Sequence, residues 1–319
     1  MKLKFHFRRL NLALVLLFVA GSLSLYGKEK SMSSGDKKIV RAACGAGRWF
    51  PSGKVELQRM VGGFIENADG RELEGKIAGV IAPHAGYIYS GPVAGYVFKA
   101  IKEQAKEGNA PETVVILGFS HRGNFPGVAL MDGDAISTPL GEALLDKEAA
   151  KVLAANRNAI KLDYAPHYGE HSAENQIPFV QTALPEAKLV VALMGDHGSQ
   201  SVTQLVEGLA ELAKIKKILV VASSDMLHDA DYDLVTRTDK ATLKIVEAMD
   251  DKQLLQEWSY DRQIFCGIAP VIVAMRFASG QGCKKGMVLK YENSGDKHPE
   301  SRGQWVVGYG AVVFDAPGR

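Results

Sequence analysis

Four apolar, β-branched runs of this sequence end a few residues before a histidine. They are residues 77–82 before His84, 113–118 before His121, 188–194 before His197, and 217–222 before His228. Ligands of open α/β sheets bind beyond the carboxyl ends of the strands, and parallel strands end at the same edge. Two or three imidazoles with a carboxylate or a thiolate form the ligand set of a catalytic transition-metal site. The pattern therefore predicts a metal site in which His84 and His121 are ligands.

Two further residues of these loops are open to more than one interpretation. Asp225 stands three residues before His228 and could enter the same site. It could also merely cap a turn, since Asx side chains bond the nearby backbone. His197 follows the run at 188–194, but its glycine, aspartate and serine neighbours favour a solvated loop. His197 is therefore left outside the predicted site.

A second polar cluster lies in PHYGEHSAENQIPF, residues 166–179. Its candidate residues are His167, Glu170, His171, Glu174 and Gln176. His171 and Glu174 are three residues apart, so on a helix they would share a face. These side chains could form a wall of the metal pocket and orient its ligands through hydrogen bonds. Alternatively, the cluster is only the charged N-terminus of a helix with Ser172 as its N-cap.

Three cysteines are present, and an odd number is not the pattern of a disulfide framework. For Cys44, Cys266 and Cys283, one bridge with a free thiol and three separate thiols are both compatible with the sequence. Cys266 lies in IFCGIAPV, at the start of a predicted helix. A free cysteine there is usually a small buried hydrophobe, but a helix N-terminus also stabilises a thiolate, the form that binds metals.

Apolar runs and helical spacings alternate along the chain and indicate how these residues are positioned. The runs predicted as strands are 77–82, 113–118, 188–194, 217–222, 287–291 and 305–314. The segments predicted as helices are 93–108, 144–155, 202–214, 236–249 and 268–277. The alternation predicts an α/β fold, a single domain with a largely parallel sheet covered by helices on both faces. The last two runs could form a hairpin or an antiparallel edge.

The first 27 residues have the parts of a secretory signal: a basic start, an apolar run from Leu10 to about Ala20, and small residues. The run is short for a membrane span, which needs ~20 apolar residues. We expect an exported protein, periplasmic or extracellular, or one anchored by this segment; a cytoplasmic protein with a mistaken start codon is the alternative. Residues 28–38 are predicted as a linker and 39–316 as the domain. Without the leader the chain is slightly acidic, which excludes the electrostatic footprint of a nucleic-acid-binding protein.

Several segments carry a resemblance to a known family. They are RAACGAGRWFPSG (41–53), PHAGYIYSGPVAG (83–95), ILGFSH (116–121), STPLGEALLD (137–146), GEHSAENQIPF (169–179), SSDMLH (223–228) and FCGIAP (265–270). In this order they resemble the Memo family (mediator of ErbB2-driven cell motility), whose bacterial members are called AmmeMemoRadiSam system protein B. The resemblance covers about residues 41–314. It implies a fold similar to that of class III extradiol dioxygenases, which hold iron(II) with two histidines and a carboxylate.

The resemblance also implies roles for particular residues. His84 and His121 would be the imidazole ligands of an iron(II) or copper ion, and Cys266 would stand in place of the dioxygenase glutamate. His228 would correspond to the acid/base histidine of the dioxygenases, with Asp225 beside it. Because a thiolate favours softer ions such as copper(I), the cysteine departs from ordinary dioxygenase chemistry.

The remaining predicted residues line this pocket or support its ligands from behind. They are His171, Glu170, Glu174, Gln176, Tyr87 and Tyr89. For the two tyrosines, packing beneath the pocket is the alternative.

Several functions are compatible with such a site. A metal at the three predicted ligands could bind dioxygen or a small substrate, with His228 transferring a proton near neutral pH. The alternative is a protein that binds copper or iron without turnover, or a scaffold. A metal-assisted hydrolase is a weaker alternative, because neither a G-x-S-x-G nor an H-E-x-x-H motif is present. The expected partners are a metal ion or a small-molecule substrate, no nucleic acid, and, from the resemblance alone, a radical-SAM protein.

Overall fold

A nine-stranded sheet forms the framework of the computed structural model, which describes residues 38–317. In chain order the strands are β1 (Val40–Ala42), β2 (Lys76–Ala82), β3 (Thr113–Phe119), β4 (Val128–Leu130), β5 (Ala135–Thr138), β6 (Gly141–Leu144), β7 (Ile160–Leu162), β8 (Lys188–Met194), β9 (Ile218–Ser223), β10 (His228–Asp229), β11 (Gly286–Asn293) and β12 (Val306–Ala316). The helices are α1 (Lys54–Glu66), α2 (Tyr87–Gln104), α3 (Lys147–Ala154), α4 (Ile177–Ala183), α5 (Ser199–Leu212), α6 (Tyr232–Glu247), α7 (Asp251–Glu257), α8 (Ile268–Gly280) and α9 (Ser294–Lys297).

Four parallel strands occupy the centre of the large sheet, in the order β2, β9, β3, β8. Antiparallel strands flank them, since β12 pairs with β2 and β4 pairs with β8. β12 also pairs with β11 and, at its start, with β10, while β7 is parallel to β4. The predicted α/β fold with a largely parallel sheet is therefore confirmed, and so is the antiparallel pairing of the last two apolar runs.

Helices cover both faces of this sheet. One apolar layer contains residues of α3, α5 and α8, and the other contains residues of α1, α2 and α4. Successive residues of β2 alternate between the layers: Ile81 belongs to the first, and Val80 and Ala82 belong to the second. Strands that are buried on both faces appear as continuous apolar runs, and for that reason the central strands can be located from the sequence.

The start of α3 differs from its prediction. The helix begins at Lys147, because the Asp146 side chain accepts a hydrogen bond from the Ala149 N–H at 3.0 Å and so caps it. Leu144, the predicted first residue of this helix, is instead the last residue of β6. A capping carboxylate just before a run of helix formers was the local signal for this boundary.

The N-terminal part of the described chain lies beside the large sheet. β1 pairs with β5, and β5 pairs with β6, in a separate three-stranded sheet. The segment between β1 and α1 contacts the start of α2, where the Tyr87 N–H donates to the Trp49 carbonyl oxygen at 2.8 Å. α1 is absent from the sequence prediction, although its buried residues Leu57, Val61 and Ile65 repeat every four positions.

The described residues cluster as one compact unit. The predicted signal or anchor at 1–27, and the predicted linker up to residue 37, lie outside the described residues. None of the helices between residues 38 and 317 combines the length and the apolarity that a membrane crossing requires.

Candidate metal centre

The backbone of His84 is held by two side chains from other parts of the chain. β2 ends two residues before His84. Asp225 Oδ1 accepts hydrogen bonds from the N–H groups of His84 and Ala85, at 2.7 and 3.2 Å. The His84 carbonyl oxygen accepts a third from Asn175 Nδ2 at 2.6 Å. Asp225 therefore caps the turn that carries His84, and not the turn in which Asp225 itself lies.

The hydrogen bonds of Ser223 determine the tautomer of the His84 ring. Ser223 Oγ donates to the Ser172 carbonyl oxygen at 2.5 Å, so it acts as an acceptor towards its other neighbours. Those neighbours are Gln176 Nε2 at 2.8 Å and His84 Nδ1 at 3.2 Å. His84 therefore carries its proton on Nδ1, and its Nε2 presents a lone pair, the form in which imidazole binds a metal.

Glu170 orients the ring of His121 in a similar way. Its Oε1 lies 3.1 Å from His121 Nδ1, and its Oε2 accepts from the His121 backbone N–H at 2.7 Å. With Nδ1 held by the carboxylate, the nitrogen of His121 that remains for an ion is Nε2. Carboxylates in this position fix the ring of a histidine ligand and increase its basicity.

Cys266 reaches the same place from the start of α8. It directly precedes Gly267, the N-cap of that helix, and its N–H donates to the Asp225 carbonyl oxygen at 3.1 Å. The Cys266 Sγ lies 3.4 Å from His84 Nε2. One donor atom from each of His84, His121 and Cys266 lies within 4.8 Å of the other two. The structure thus brings the three predicted ligands together.

The spacing of these donor atoms fits a bound ion. In a tetrahedral site with metal–nitrogen and metal–sulfur distances of about 2.0 and 2.3 Å, the N···S separation is about 3.5 Å. The 3.4 Å between His84 Nε2 and Cys266 Sγ agrees with that value. Two imidazoles and a thiolate are donors that suit copper, and imidazole also suits iron. The residues present therefore fit either ion implied by the sequence resemblance.

His121, Glu170 and His171 form a second group with metal-ligand spacing. The Glu170 carboxylate accepts four hydrogen bonds, from His121 Nδ1 and from the N–H groups of His121, His171 and Ser172. Although burial opposes ionisation, the bonds from His121 and the backbone hold the pKa of Glu170 well below its usual range. Because its lone pairs are engaged, Glu170 is better suited to orienting His121 than to binding an ion itself.

The protonation of the three histidines around this centre differs. Burial, together with nearby His121 and His171, lowers the pKa of His84 well below its usual range. Burial and His121 lower the pKa of His171 to about 4. Burial also disfavours the charge of His121, but contacts with Cys266 and Glu170 prevail and raise its pKa to about 10. Because imidazole binds a metal in its neutral form, an ion at Nε2 of His121 would displace any proton held there.

His171 and Glu174 do not share a helix face, so that prediction is wrong. His171 precedes the helical residues, and its ring stacks on Trp49 with the centroids 4.1 Å apart. Glu174 begins a short 3₁₀ turn and lies 2.6 Å from Arg41, in a buried ion pair. The irregular backbone between the two residues directs their side chains to different neighbours. Only His171 borders the predicted pocket.

Two other residues of the 166–179 cluster have structural roles. The Ser172 hydroxyl donates to the Phe119 carbonyl oxygen at 2.9 Å, which rules out the alternative in which Ser172 is a helix N-cap. His167 is buried, and its Nε2 lies 3.1 Å from the Ala129 carbonyl oxygen. Burial, with a contribution from Arg41, lowers the pKa of His167 to about 4. His167 is therefore a neutral core histidine with a satisfied ring nitrogen.

A cavity of about 720 Å³ is lined by two of the three predicted ligands, His84 and His121. Its aromatic and apolar lining includes Trp49, Phe50, Met60, Tyr87, Tyr89 and Trp305. Tyr89 is 38% exposed and lines the cavity with its ring 4.9 Å from that of His298. Tyr87 is buried, and its hydroxyl donates to the Asn175 carbonyl oxygen at 2.6 Å. Tyr87 thus packs beneath the cavity as well as bordering it.

His228 and Asp225 also line the cavity. Burial, with a smaller effect of His121, lowers the pKa of His228 to about 4, so its ring is neutral at neutral pH. The His228 Nε2 is buried and has no hydrogen-bond partner among the described residues. Burial raises the pKa of Asp225 to about 6, although the N–H groups of His84 and Ala85 oppose the shift. A molecule in the cavity could therefore exchange a hydrogen bond or a proton with His228.

Sequence reasoning overlooks three residues that shape this centre. Trp49 stacks on His171, Asn175 holds the His84 backbone, and Ser223 determines the His84 tautomer. They lie in RWFPSG, ENQ and SSD, within segments that were recognised for other reasons. Their adjacency to recognised residues was the only signal, because a hydrogen-bonding partner is not defined by spacing along the chain.

His197 does not lie in a solvated loop, which corrects the prediction. Its half-buried ring stacks on Phe119, with centroids 4.0 Å apart, and meets the edge of Trp258 at 4.4 Å. These aromatic rings come from other segments of the chain, so the polar neighbours of His197 in sequence could not indicate its burial.

All three cysteines are free thiols, which answers the question that the sequence left open. Cys44 Sγ lies 3.4 Å from the Glu170 carbonyl oxygen, and Cys283 Sγ lies 3.3 Å from the Lys285 carbonyl oxygen. Cys266 is the one whose sulfur contacts a histidine nitrogen of the centre.

Over most of its length the chain is similar to one group of proteins. A family model described as Memo-like protein matches residues 41–313. A MEMO1 family protein of Nitrosopumilus maritimus (strain SCM1) is 34% identical over 281 residues, 86% of this chain and 100% of that protein. A MEMO1 family protein of Ignicoccus hospitalis is 33% identical over 293 residues, 88% of this chain and 100% of that protein. Among solved structures, the uncharacterized protein JW3007 from Escherichia coli K12 is similar over 75% of this chain and 100% of its own, with a TM-score of 0.48 and 11% sequence identity.

Proposed function

Because this chain belongs to the Memo family, we propose that His84, His121 and Cys266 bind one copper or iron ion. In this proposal the ion acts in redox chemistry on a small molecule held in the adjoining cavity. The observation that carries the proposal is the convergence of the three donor atoms within 4.8 Å of one another. Cys266 and His84 are 182 positions apart, so the fold alone brings them together.

The hydrogen bonds behind the ligands support the same proposal. Ser223 leaves the Nε2 lone pair of His84 facing Cys266, and Glu170 holds the outer nitrogen of His121. Histidine ligands of metal sites commonly donate their second N–H to such a partner, which fixes the ring and its tautomer. Histidines that only fill space in a core do not require such a partner on the second ring nitrogen, yet both His84 and His121 have one.

The donor set bears on which ion is bound. A thiolate is a soft donor that favours copper(I), whereas imidazole accepts copper and iron alike. Either ion, when bound, would supply one-electron redox chemistry and a coordination position for a small molecule. The chain itself supplies the orientation of the two rings and the burial of the sulfur.

The cavity provides the second part of the proposal. Trp49, Tyr89 and Trp305 give it aromatic walls, which suit a planar or apolar molecule. His228 lies in the lining with an unpaired Nε2, which supports a role in taking a proton from that molecule or returning one.

Metal analysis of the purified chain and of two cysteine variants tests the metal site. We expect about one copper or iron ion per chain, retained in Cys283→Ala and lost in Cys266→Ala. Cys283 is the matched control, because it is also a buried thiol, and its sulfur contacts the Lys285 carbonyl oxygen. Equal metal content and affinity in the two variants would contradict the assignment of Cys266 as a ligand.

Oxygen uptake distinguishes turnover from binding alone. Aerobic incubation of the iron-loaded or copper-loaded chain with a broad panel of catechols is expected to consume oxygen, and His228→Gln is expected to slow this without loss of metal. Tight copper(I) binding with no uptake across the panel would favour the alternative, a protein that binds metal without turnover. The soft sulfur donor is the observation that favours this second candidate.

A further inference from the structure

We propose that the Ser224 hydroxyl donates a hydrogen bond to the Cys266 sulfur when an ion is bound, and so shifts the site towards the reduced form of the ion. This inference rests on the proposed metal site. Ser224 Oγ lies 3.4 Å from Cys266 Sγ, and both residues are buried. Ser224 would thus be a positioning residue, which acts on the ion only through the sulfur.

The Ser224 hydroxyl has one proton and two acceptors within reach. Its oxygen accepts from the Gly267 N–H at 2.9 Å, so the proton is directed elsewhere. The two acceptors are the Asp225 carbonyl oxygen at 2.9 Å and the Cys266 Sγ at 3.4 Å. A sulfur without charge is a weak acceptor, so against such a sulfur the carbonyl oxygen is the stronger competitor for the proton.

Metal binding reverses this competition. The thiol proton of Cys266 leaves to solvent when the sulfur binds an ion, and the sulfur then carries negative charge. Hydrogen bonds to charged acceptors are stronger than those to neutral ones. The Asp225 carbonyl oxygen also accepts from the Cys266 N–H at 3.1 Å, so it keeps a partner when the hydroxyl turns away. The change therefore leaves no buried polar group unpaired.

A hydrogen bond to a ligating sulfur changes the redox balance of the ion. It withdraws electron density from the sulfur, which weakens the stabilisation of the oxidised ion more than that of the reduced ion. Hydrogen bonding around ligating sulfur atoms is among the features with which proteins set reduction potentials. Ser224 would therefore favour copper(I) over copper(II), and the N-terminus of α8 next to Cys266 acts in the same direction.

Copper-loaded Ser224→Ala, with Ser224→Thr as the matched control that retains a hydroxyl, tests the proposal. The measurements are the copper(II)/copper(I) potential and the sulfur-to-copper(II) charge-transfer absorption. We expect Ser224→Ala to lower the ratio of copper(I) to copper(II) affinity about tenfold, equivalent to ~59 mV, and to move the absorption to lower energy. Ser224→Thr should stay close to the unaltered chain. An unchanged potential and absorption in Ser224→Ala would overturn the inference and leave the metal site intact.

A measurement on the unaltered chain covers the case in which Ser224→Ala does not fold. In heavy water, deuterium replaces the Ser224 hydroxyl proton that bonds to the sulfur. This exchange should shift the copper–sulfur stretching frequency, which resonance Raman spectroscopy measures. The absence of this isotope shift in copper-loaded protein would overturn the inference. If the unaltered chain binds neither copper nor iron, the proposed function fails and this inference fails with it; a chain that binds iron but no copper overturns this inference alone.

Discussion

His84 Nε2 and Cys266 Sγ lie 3.4 Å apart, although 182 positions separate the two residues in sequence. Both side chains are buried, with exposed fractions of 2% and 9%. Because the His84 Nδ1–H donates to Ser223 Oγ, the facing Nε2 offers a lone pair to whatever lies between it and the sulfur. That can be the thiol proton or, as in the proposed function, an ion that His121 also reaches.

Replacement of Ser223 by alanine should weaken copper(I) binding about 10–100-fold. The His84 ring would lose the acceptor of its Nδ1 proton, and the Gln176 amide would lose a partner. Leaving such buried groups unpaired should also lower the free energy of unfolding by about 1–3 kcal/mol. Competition with a coloured copper(I) chelator measures the affinity. The control is Ser201→Ala, which replaces a buried serine in α5. Equal copper(I) affinities in the two variants would contradict the role of Ser223 in holding the His84 ring.

Glu170→Gln should also reduce metal affinity about 10–100-fold. Glutamine has one acceptor oxygen, so it cannot serve both the ring and the backbone N–H of His121 as the carboxylate does. The measurement is the same chelator competition, with exposed Glu186→Gln as the control for loss of a negative charge. A folded Glu170→Gln chain with unaltered affinity would show that Glu170 has no role in orienting His121.

Arg41→Met should destabilise the protein by about 3–5 kcal/mol, because it leaves the Glu174 carboxylate buried without its counter-ion. The two side chains are 4% and 1% exposed, and Arg41 Nη1 lies 2.6 Å from Glu174 Oε2. Urea denaturation measures the loss. The double variant Arg41→Met/Glu174→Leu removes both charges and should recover much of the stability. A loss below about 1 kcal/mol in the single variant would mean that the pair behaves as an exposed one.

Titration of Asp239 should make a contribution to the stability of the protein that falls as the pH rises from about 4 to about 7, opposite in sign to the contribution of the buried histidines whose pKa values are lowered. Burial raises its pKa from 3.8 to about 7, against the hydrogen bonds from the Leu227 N–H and the Tyr291 hydroxyl. The folded protein thus holds the proton more tightly than the unfolded chain, and this contribution, at most about 4 kcal/mol, disappears once the pH exceeds the folded pKa.

Asp239→Asn tests this dependence, because the amide has nearly the same shape and carries no charge. Its carbonyl oxygen can accept from the Leu227 N–H, as Asp239 Oδ1 does at 3.1 Å. We expect the variant to be more stable than the unaltered chain above pH ~7. Below that pH, it should lack the decrease in the free energy of unfolding that the titration of Asp239 causes. The measurement is the free energy of unfolding from urea denaturation at each pH. A difference between the two proteins that stays constant across this pH range would contradict the assignment.

The sequence by itself determined the central framework and the three candidate ligands. Strands buried on both faces must be apolar throughout, so β2, β3, β8 and β9 could be located as continuous apolar runs. His84 and His121 could be placed at one edge because they follow parallel strands. Cys266 needed the family resemblance, since a lone cysteine before a helix has no spacing that marks it as a ligand. The short strands β1, β4, β5, β6 and β7 were not predicted, because each is stabilised by its pairing partners and not by its own composition.

Only the tertiary structure decided how the second polar cluster is divided. Glu170 bonds to His121 and Gln176 to Ser223, whereas Glu174 turns away to Arg41. In an irregular segment the direction of each side chain follows from the local backbone angles, which have no period that could be recognised in the sequence. A hydrogen bond also requires its two atoms to lie within about 3 Å, a condition set by residues from distant parts of the chain. For this reason the tautomer of His84 and the orientation of His121 follow from the folded structure alone.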